Sequence, residues 1–516
     1  MVLLSFLLLI QACYTSSMVG QIRQQDPVTK ADYASELHEA LTTSSSPEDL
    51  LKKIKIIHQK AYVRRDSIVY PPGDTFHISI PLYHEPIKLT DHTDFNGCTF
   101  IIKNNQKDVF LFEIGTDSQL KDIIIQNEQL KAGKVISAGG GGDKLLIVKD
   151  NNLWTTRYDY NSQGEISKIK QLCYRKDIFF VKDYIIMNNP ISSYDRDTSS
   201  PSCQYVDISL HQKIFRNLNL IRDKSSSAVT NLIQIKFQYN IELSNIHVIT
   251  ELQTDERKRF YHDQCFYIEN SAKVQMTDIT VHNTYSGITN WGYAIEMNNV
   301  WDCSFSKLNI SAIRGGLNTT CANTLYFQNC QVNRVDVHYY GRDIVCNQCT
   351  FTNTTNDFHV YNRVSSFYGK IVFTHCLFNR FLPLRIDSEY NSFTKFDIEM
   401  EDCTLNVICQ VPSYYNCICH IPILGSFKNN RPELYEKHLP NLTIRRLSIT
   451  APQDVKDFYF FNISKNQIDS NSNYIHKLDI KDIAYSTGPN SVLAFHDCNY
   501  PIRVNHRSVR KIREKK

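Results

Sequence analysis

A cysteine recurs at a nearly regular interval in the middle of this 516-residue chain. An apolar residue follows two places later each time, in the segments Cys303-Ser-Phe305, Cys330-Gln-Val332, Cys349-Thr-Phe351, Cys376-Leu-Phe378 and Cys403-Thr-Leu405. The steps between these cysteines are 27, 19, 27 and 27 residues. Self-similarity at this kind of period is typical of solenoids, in which each repeat packs only on its neighbours.

Each repeat has the apolar spacing of two short strands joined by a turn, as in Cys303-x-Phe305-x-x-Leu308-x-Ile310. Aligning Cys330-x-Val332-x-x-Val335-x-Val337 with that segment places Cys330 above Cys303. The same spacing without the cysteine begins at further positions: Ser118, Lys213, Ile241, Val274, Leu442 and Leu478. About a dozen such coils, stacked at the strand spacing of about 4.8 Å, predict an all-β rod of the parallel β-helix type.

The start of the repeat region resembles the first coil of the pectin-lyase-like right-handed β-helix superfamily. In that superfamily a tyrosine-proline-glycine segment precedes the first stacked strands, and here the segment is Tyr70-Pro71-Pro72-Gly73, followed by Asp94-Phe95-Asn96-Gly97-Cys98. The resemblance covers residues 66–485. It implies a right-handed parallel β-helix and a polysaccharide lyase or glycoside hydrolase, without indicating a particular family.

Two segments depart from the repeat. Residues 20–65 carry apolar residues in helical spacing, such as Leu37 and Leu50, which predicts helices that cover the open N-terminal end of the rod. Residues 127–205 predict a β-rich insertion beside the rod. The other predicted boundaries are 66–126 for the first coils, 206–490 for the main β-helix and 491–516 for a basic C-terminal tail.

Residues 1–19 have the form of an export signal. The apolar run at 2–12 is too short to span a bilayer as a mature helix and is followed by polar sequence. The stretch that ends at Cys13 resembles a bacterial lipobox, in which the cysteine becomes the acylated first residue. We therefore predict either a secreted protein or a cell-surface lipoprotein, with membrane contact only through the lipid on Cys13. If the organism is a Gram-negative bacterium, the predicted location is the outer membrane or the periplasm.

Charge and cysteine content restrict the function further. The net charge is only +4, and several basic residues lie at the extreme C-terminus, so a nucleic-acid surface is not indicated. Sixteen cysteines in an exported chain usually indicate a disulfide framework. Their spacing instead places most of them inside the repeat, where free cysteine packs as a small hydrophobic residue.

The residues between the inward ones point outward and form columns along the rod. One predicted column contains Asn219, His247, Thr280, Asn309 and Asp336. Its neighbour contains Ile221, Ile249, His282, Ser311 and His338. Polar residues are most frequent in the coils from 274 to 349, which makes Asp336 and His338 the central candidates for chemistry.

Two reactions fit the residues in these coils. Glycosidic hydrolysis needs a proton donor and a second carboxylate, for which Asp336 and Asp343 are the candidates, with His338 orienting one of them. β-Elimination from a uronate needs a base, for which His338 or Arg342 is the candidate. For each acid the competing interpretation is a structural hydrogen bond in a strand or turn, and Asp343 follows Gly-Arg in an apparent turn.

Substrate contacts are predicted for the polar and aromatic residues around this pair: His282, Tyr285, Arg314, Asn318, Tyr340, Arg380 and Arg385. In the elimination reaction, Arg314 and Arg385 neutralise the carboxylate of the sugar. Arg334 and Arg380 belong to a further column of cations, which either binds an acidic polysaccharide or is a solvated surface stripe.

The sequence predicts no metal site and no cofactor, although a lyase would be compatible with calcium. The predicted partner is a polysaccharide, and the oligomeric state is left open. The alternative to an enzyme is a non-catalytic β-helix that binds glycans at a surface, which would present aromatic and cationic side chains without paired acids in reach of one sugar.

Overall fold

The computed structural model describes residues 32–511 with short interruptions in the connecting segments. The segments outside the description are 82–83, 105–108, 116–117, 138–140, 161–165, 195–199, 224, 227–230, 252–263, 284–292, 311–316, 320, 338–339, 353–361, 366, 380–382, 387–393, 408–416, 422–440, 451–456, 464–476, 487–491, 497–502 and 507–508. The predicted export signal at 1–19 and Cys13 also lie outside the described residues.

In the part of the chain that the structure describes, two helices precede the first strand: α1, Tyr33–Thr43, and α2, Pro47–Arg64. Ser46 caps α2, because its hydroxyl accepts a hydrogen bond from Asp49 N at 3.1 Å. A proline stands at the start of α2, where no backbone donor is needed. The helix ends where Arg65 adopts a left-handed φ of 59°.

Helix α2 packs its apolar stripe against the beginning of the rod. Ile54 and Ile57 are buried, and the helix contacts the strand Thr75–Ile80. His58 is also buried and shares a hydrogen bond of 2.6 Å with the hydroxyl of Tyr70. The tyrosine of the predicted first coil is therefore held against the helix.

The strands are numbered β1 to β35 in chain order. They are Ile68–Val69, Thr75–Ile80, Ile87–Lys88, His92–Asn104, Phe110–Ile114, Lys121–Ile123, Lys144–Tyr160, Ile166–Lys182, Ile185–Ile186, Pro201–Asp207, Lys213–Arg222, Asn231–Lys236, Tyr239–Thr250, Gln264–Asn283, Tyr293–Ser306, Asn309–Ile310, Leu317–Thr319, Ala322–Gln328, Gln331–Val332, Val335–Val337, Gly341–Asn347, Thr350–Thr352, Arg363–Val364, Phe367–Thr374, Leu377–Asn379, Leu384–Ile386, Thr394–Glu401, Thr404–Asn406, Cys417–Ile421, Asn441–Thr450, Asp457–Ile463, Lys477–Ser486, Val492–His496, Arg503–His506 and Val509–Lys511.

Strands of successive coils pair in parallel and form three faces. Face A consists of β2, the second parts of β4, β11 and β13, the end of β14, then β16, β19, β22, β25, β28, the second parts of β30 and β32, and β35. Face B consists of β3, β5, β12, the first parts of β14 and β15, then β17, β20, β23, β26, β29, β31 and β33. Face C includes the middle of β14, the end of β15, and the whole of β18, β21, β24 and β27. The predicted all-β fold with parallel strands is confirmed.

A residue in the left-handed conformation turns the chain onto face A in successive coils. Asn217, Asn245 and Asn329 occupy this corner with φ of 63°, 53° and 54°. Asparagine tolerates the conformation better than most residues because its short side chain bonds locally. The amide of Asn245 donates to Asn217 Oδ1 at 2.8 Å, which links one corner to the next.

Four cysteines after Cys303 form one buried ladder directly behind this corner. Gln331 pairs with Asn309, and the same register continues through Thr350, Leu377 and Thr404. The residues that precede these partners therefore lie above one another on face A: Leu308, Cys330, Cys349, Cys376 and Cys403. All four cysteines are at most 2% exposed.

The predicted alignment of Cys330 with Cys303 is wrong. Cys303 lies on face C, where it pairs with Leu325, five residues before Leu308 in the same coil. Both positions face the interior and accept a small apolar side chain, so the same local sequence occurs on two faces. The predicted outward column is correct for its first four members, which are Asn219, His247, Thr280 and Asn309. The next member is Gln331, so the prediction that Asp336 follows Asn309 in this column is wrong.

A five-stranded antiparallel sheet interrupts the rod between β4 and β11, which pair directly with each other. Its strands extend from Lys121 to Asp207. The segment that begins at Ser118 was predicted to be a coil of the rod. This prediction is wrong, because Lys121–Ile123 pairs antiparallel with Pro201–Asp207 in the inserted sheet.

The inserted sheet is fastened to the rod through a buried polar network. Asp177 accepts hydrogen bonds from the hydroxyls of Tyr194, at 2.8 Å, and Tyr340, at 3.2 Å. The guanidinium of Arg175 stacks 3.5 Å from the centre of the Tyr194 ring. Beside the network, Phe180 of the insertion stacks on Tyr239 of the rod at 4.6 Å between ring centroids.

Parallel strands continue beyond residue 490, where the main β-helix was predicted to end. Val492–His496 pairs with β31, and both Arg503–His506 and Val509–Lys511 pair with β32. Among the described residues, none of the helices combines the length and hydropathy needed to cross a bilayer.

The start of β21 tests the packing between coils. A Cβ atom added to Gly341 would collide with Val337 Cγ1 and lie 2.9 Å from Phe367 Cε2. We expect Gly341→Ala to lower the free energy of unfolding by about 1–3 kcal/mol. Gly115→Ala is the matched control, because its Cβ would meet only the flexible Glu113 side chain. Equal melting temperatures for both variants would contradict this packing.

The network around Asp177 predicts that the stability of the fold depends on pH. Burial raises the pKa of Asp177 to about 6, although Arg175 and the hydrogen bonds oppose the rise. The pKa of an aspartate in the unfolded chain is about 3.9. The stability that the protonated carboxyl contributes is therefore fully present below about pH 3.9 and is lost as the pH rises through the folded pKa. Relative to Asp177→Asn, the wild type should lose about 2 kcal/mol between pH 4 and 7. Parallel stability curves for the two proteins, from thermal unfolding across this range, would disprove the assignment.

Candidate functional site

An outward column of polar residues runs along face B. Strand register stacks its members in the order Lys88, Glu113, Gln234, Tyr267, Glu296, Asn318, Asp336, Arg363, Arg385, His420 and Asn462. Where burial is described, the residues on either side of a column member are buried, as Ile295 and Met297 are beside Glu296. Alternation along these strands therefore turns the described members of the column away from the core.

Two carboxylates lie close together near the middle of this column. Glu296 pairs in register with Tyr267, and Glu269 pairs with Asn298 on the same two strands. The amide of Asn298 reaches both Tyr267 Oη, at 3.4 Å, and Glu269 Oε1, at 3.5 Å. We call these four half-buried residues the acid cluster.

The pKa of Tyr267 is affected by the carboxylates of the acid cluster. Burial raises the pKa of Tyr267 to about 12, and the negative charges of Glu269 and Glu296 add to the rise, while the hydrogen bond from Asn298 opposes it. The hydroxyl is therefore protonated at neutral pH and can donate a hydrogen bond. Two carboxyl groups around one such donor could take part in proton transfer.

Asp336 lies two coils beyond Glu296 in the same column, among arginines. Arg334 Nε is 3.2 Å from Asp336 Oδ2, and Arg363 Nη2 is 3.6 Å from the same oxygen. The side chains of Asp336, Arg334 and Arg363 are 0%, 8% and 17% exposed. With Arg385 next in register, these residues form what we call the arginine cluster, which has more positive than negative charge.

Three of the sequence-predicted site residues are brought together on face B. Asn318 pairs with Asp336, and Arg385 follows one coil after Arg363. Asp336 is outward in its strand but is fully covered by its surroundings. It is thus placed to hold the arginines, whereas a group that contacts substrate needs an accessible atom.

Other predicted residues lie elsewhere on the rod. His282 is exposed at the end of β14 and pairs with Ile249 on face A. Tyr340 is fully buried, where its hydroxyl contacts Asp177 and Ser192 of the insertion. Its place in this network does not give it access to a bound sugar.

Arg342 and Asp343 also lie at the edge where the insertion meets the rod. Arg342 donates to the carbonyl oxygens of Pro190 and Ile191 at 3.4 and 3.3 Å. Asp343 has a left-handed φ of 50° and accepts a hydrogen bond from Lys370 N at 2.8 Å. The contacts of Arg342 and Asp343 therefore hold a turn of the chain in place beside the insertion. The remaining predicted residues, Tyr285, Arg314, His338 and Arg380, lie outside the described residues.

Glu269 and Glu296 were not predicted from the repeat, because the repeat was aligned on the segments that follow the cysteines. A second signal was present in the preceding strand of each coil, where one polar residue stands between two apolar ones. Examples are Phe112-Glu113-Ile114, Ile295-Glu296-Met297 and Val335-Asp336-Val337. Alignment of these triplets gives the column on face B directly.

No family model matches the chain. A search of curated proteins also finds no match. Among solved structures, the tailspike protein gp49 from Pseudomonas phage LKA1 is similar over 92% of this chain and 77% of its own, with 10% identity and a TM-score of 0.50. The gp54 tailspike of Acinetobacter baumannii phage AP22, solved with a capsular saccharide, covers 91% of this chain and 76% of its own at 9% identity and a TM-score of 0.48.

The likeness to the LKA1 tailspike concerns the fold. It agrees with the fold predicted from the sequence, and the chain has a right-handed parallel β-helix fold. At 10% identity, no residue role can be transferred from that protein. The chemistry of this chain must be argued from its own side chains.

The arginine cluster predicts a stability difference between two conservative variants. Asp336→Asn removes the negative charge that compensates two buried guanidinium groups, and should lower the free energy of unfolding by about 3–5 kcal/mol. Glu296→Gln changes a half-buried side chain and should stay within about 0.5 kcal/mol of the wild type. Chemical denaturation measures both. An Asp336→Asn protein as stable as the wild type would contradict the structural role of this carboxylate.

Proposed function

We propose that this protein is exported and binds an acidic polysaccharide along face B, where the acid cluster hydrolyses a glycosidic bond. The observation that carries the proposal is the outward column on face B, in which Glu296, with Glu269 beside it on the adjacent strand, lies two coils from the arginine cluster. Because the strands stack in register, a linear polymer that follows the rod can meet both clusters at once.

The acid cluster contains the groups that hydrolysis needs. One carboxyl group must protonate the leaving oxygen while the other activates water or attacks the sugar. Glu269 and Glu296 lie on adjacent strands and are offset by two residues, so their Cα atoms are about 8 Å apart. Side chains at this separation can stand on opposite sides of one glycosidic bond. Asn298 donates to Glu269 and to Tyr267, and Tyr267 is the register partner of Glu296.

The positive charge of the arginine cluster favours an acidic substrate. Asp336 offsets part of the charge of Arg334 and Arg363, and holds their side chains in place. Arg385 extends the positive charge along the column. Guanidinium groups match carboxylates geometrically, so a uronate or another acidic sugar beside the scissile bond would complete the charge balance.

Export is proposed from the apolar N-terminal segment alone, with either free secretion or lipidation of Cys13. A second candidate function is glycan binding without cleavage. It is favoured by the full burial of Asp336, which suits a fixed binding surface more than a reacting acid. β-Elimination remains a third outcome of the assay below, since arginines could neutralise the uronate.

Conservative substitutions in the acid cluster test the proposal. We expect Glu296→Gln and Glu269→Gln each to lower the rate of reducing-end release from a panel of acidic polysaccharides by at least about 100-fold, because the amide cannot transfer the proton. Binding of the polymer should persist in both variants. Glu399→Gln is the matched control, because Glu399 is a partly exposed outward residue of β27, on face C.

The products decide between the candidate functions. Release of reducing ends without absorbance from unsaturated sugars supports hydrolysis, whereas that absorbance would show elimination. Binding without either product would leave only the glycan-binding function. Full activity in both glutamine variants would reject the acid cluster as the catalytic site.

A further inference from the structure

Two histidines from distant parts of the sequence meet on the surface where the chain enters and leaves the insertion. His92 Nε2 lies 3.1 Å from His211 Nε2, although 119 residues separate them. Their rings are nearly perpendicular, with an angle of 84° and 5.2 Å between centroids. His92 begins β4, and His211 precedes β11, the strand that pairs with β4 after the insertion.

The nitrogen separation suits chelation of one metal ion. Imidazole nitrogen binds zinc and similar ions at about 2.0–2.1 Å, so two cis ligands at an angle of roughly 100° stand about 3.2 Å apart. The hydrogen bond between two neutral rings gives a similar distance. The two interpretations therefore differ in what happens when a metal ion is supplied.

The turn that carries His211 is held in place by contacts outside the site. The backbone N–H of His211 donates to Ser209 Oγ at 3.1 Å, and Asn240 Nδ2 donates to the carbonyl oxygen of Leu210 at 3.0 Å. The next residue, Gln212, donates to Glu242 Oε2 at 3.0 Å. A ligand on such a fixed turn loses little conformational freedom when metal binds.

Charged side chains of both signs lie beside the histidine pair. Asp91 is partly exposed beside His92 and contributes negative charge, which its ion pair with Lys213 at 3.2 Å partly offsets. In the described part of the chain, no group of three or more His, Cys, Asp and Glu side chains is placed to hold a metal.

We propose that His92 and His211 form a two-imidazole site for a divalent transition metal, with water completing the coordination. Cu²⁺ and Zn²⁺ are the expected ions, because imidazole prefers borderline metals and copper heads the affinity series. Mg²⁺ should not bind, since it demands oxygen ligands. The ion would join β4 to the turn before β11 and close the chain across the base of the insertion.

Titration calorimetry of the full, untagged chain with Cu²⁺ and with Zn²⁺ tests the site. The expected result is one site whose affinity falls by about tenfold or more in His92→Ala and in His211→Ala, since each removes one of two protein ligands. His247→Ala is the matched control: it removes another exposed histidine, which bonds only to Asn245 Oδ1 at 2.9 Å in the described contacts. Zinc should also raise the melting temperature of the wild type and not of His211→Ala.

The electron paramagnetic resonance spectrum of the copper complex identifies the ligands. Hyperfine splitting from two nitrogens in the wild type, reduced to one in His211→Ala, would support the proposal. Unchanged affinity in both variants, or no saturable binding by the wild type, would overturn it and leave an ordinary histidine–histidine hydrogen bond. Neither result bears on polysaccharide cleavage, because the pair lies outside the column on face B.

Discussion

The structure depends on the in-register stacking of parallel strands. Each residue of a coil lies about 4.8 Å from its equivalent in the next coil, so a change in register would move every side chain to a different neighbour. The left-handed corner residues before face A maintain this register, and the hydrogen bond between Asn217 and Asn245 links two of them. The buried ladder from Cys330 to Cys403 and the outward column on face B are both consequences of the same stacking.

Stacking also explains why charge on face B must be balanced locally. Arg363 and Arg385 occupy adjacent coils, and like charges at this spacing repel each other. Asp336 relieves part of the repulsion from within the column. An acidic polymer would relieve more of it, and the acid cluster two coils away would then act on the bond next to a bound anionic sugar. The proposed function thus follows from charge arranged along one axis.

The sequence was sufficient to predict the parallel rod, because apolar alternation and a recurring coil length leave few other folds. It was not sufficient to align the coils. Cys303 and Cys330 have the same local sequence but lie on different faces, since any inward position next to a corner accepts a small apolar side chain. The connecting segments vary in length, so spacing could not reveal the error. Asp336 and Asn318 were identified, whereas Glu296 was missed because it lies in the first part of its strand, seven residues before Cys303, and only the segments after the cysteines were aligned.

The most direct test of this account is a crystal structure of the Glu296→Gln protein with an oligosaccharide from its acidic substrate. The account predicts sugar density on face B, with a glycosidic oxygen within hydrogen-bond distance of residue 296 or Glu269 and a sugar carboxylate facing Arg363 or Arg385. Density on face A beside His282, with face B empty at saturating ligand, would contradict the central claim that the column on face B is the working surface.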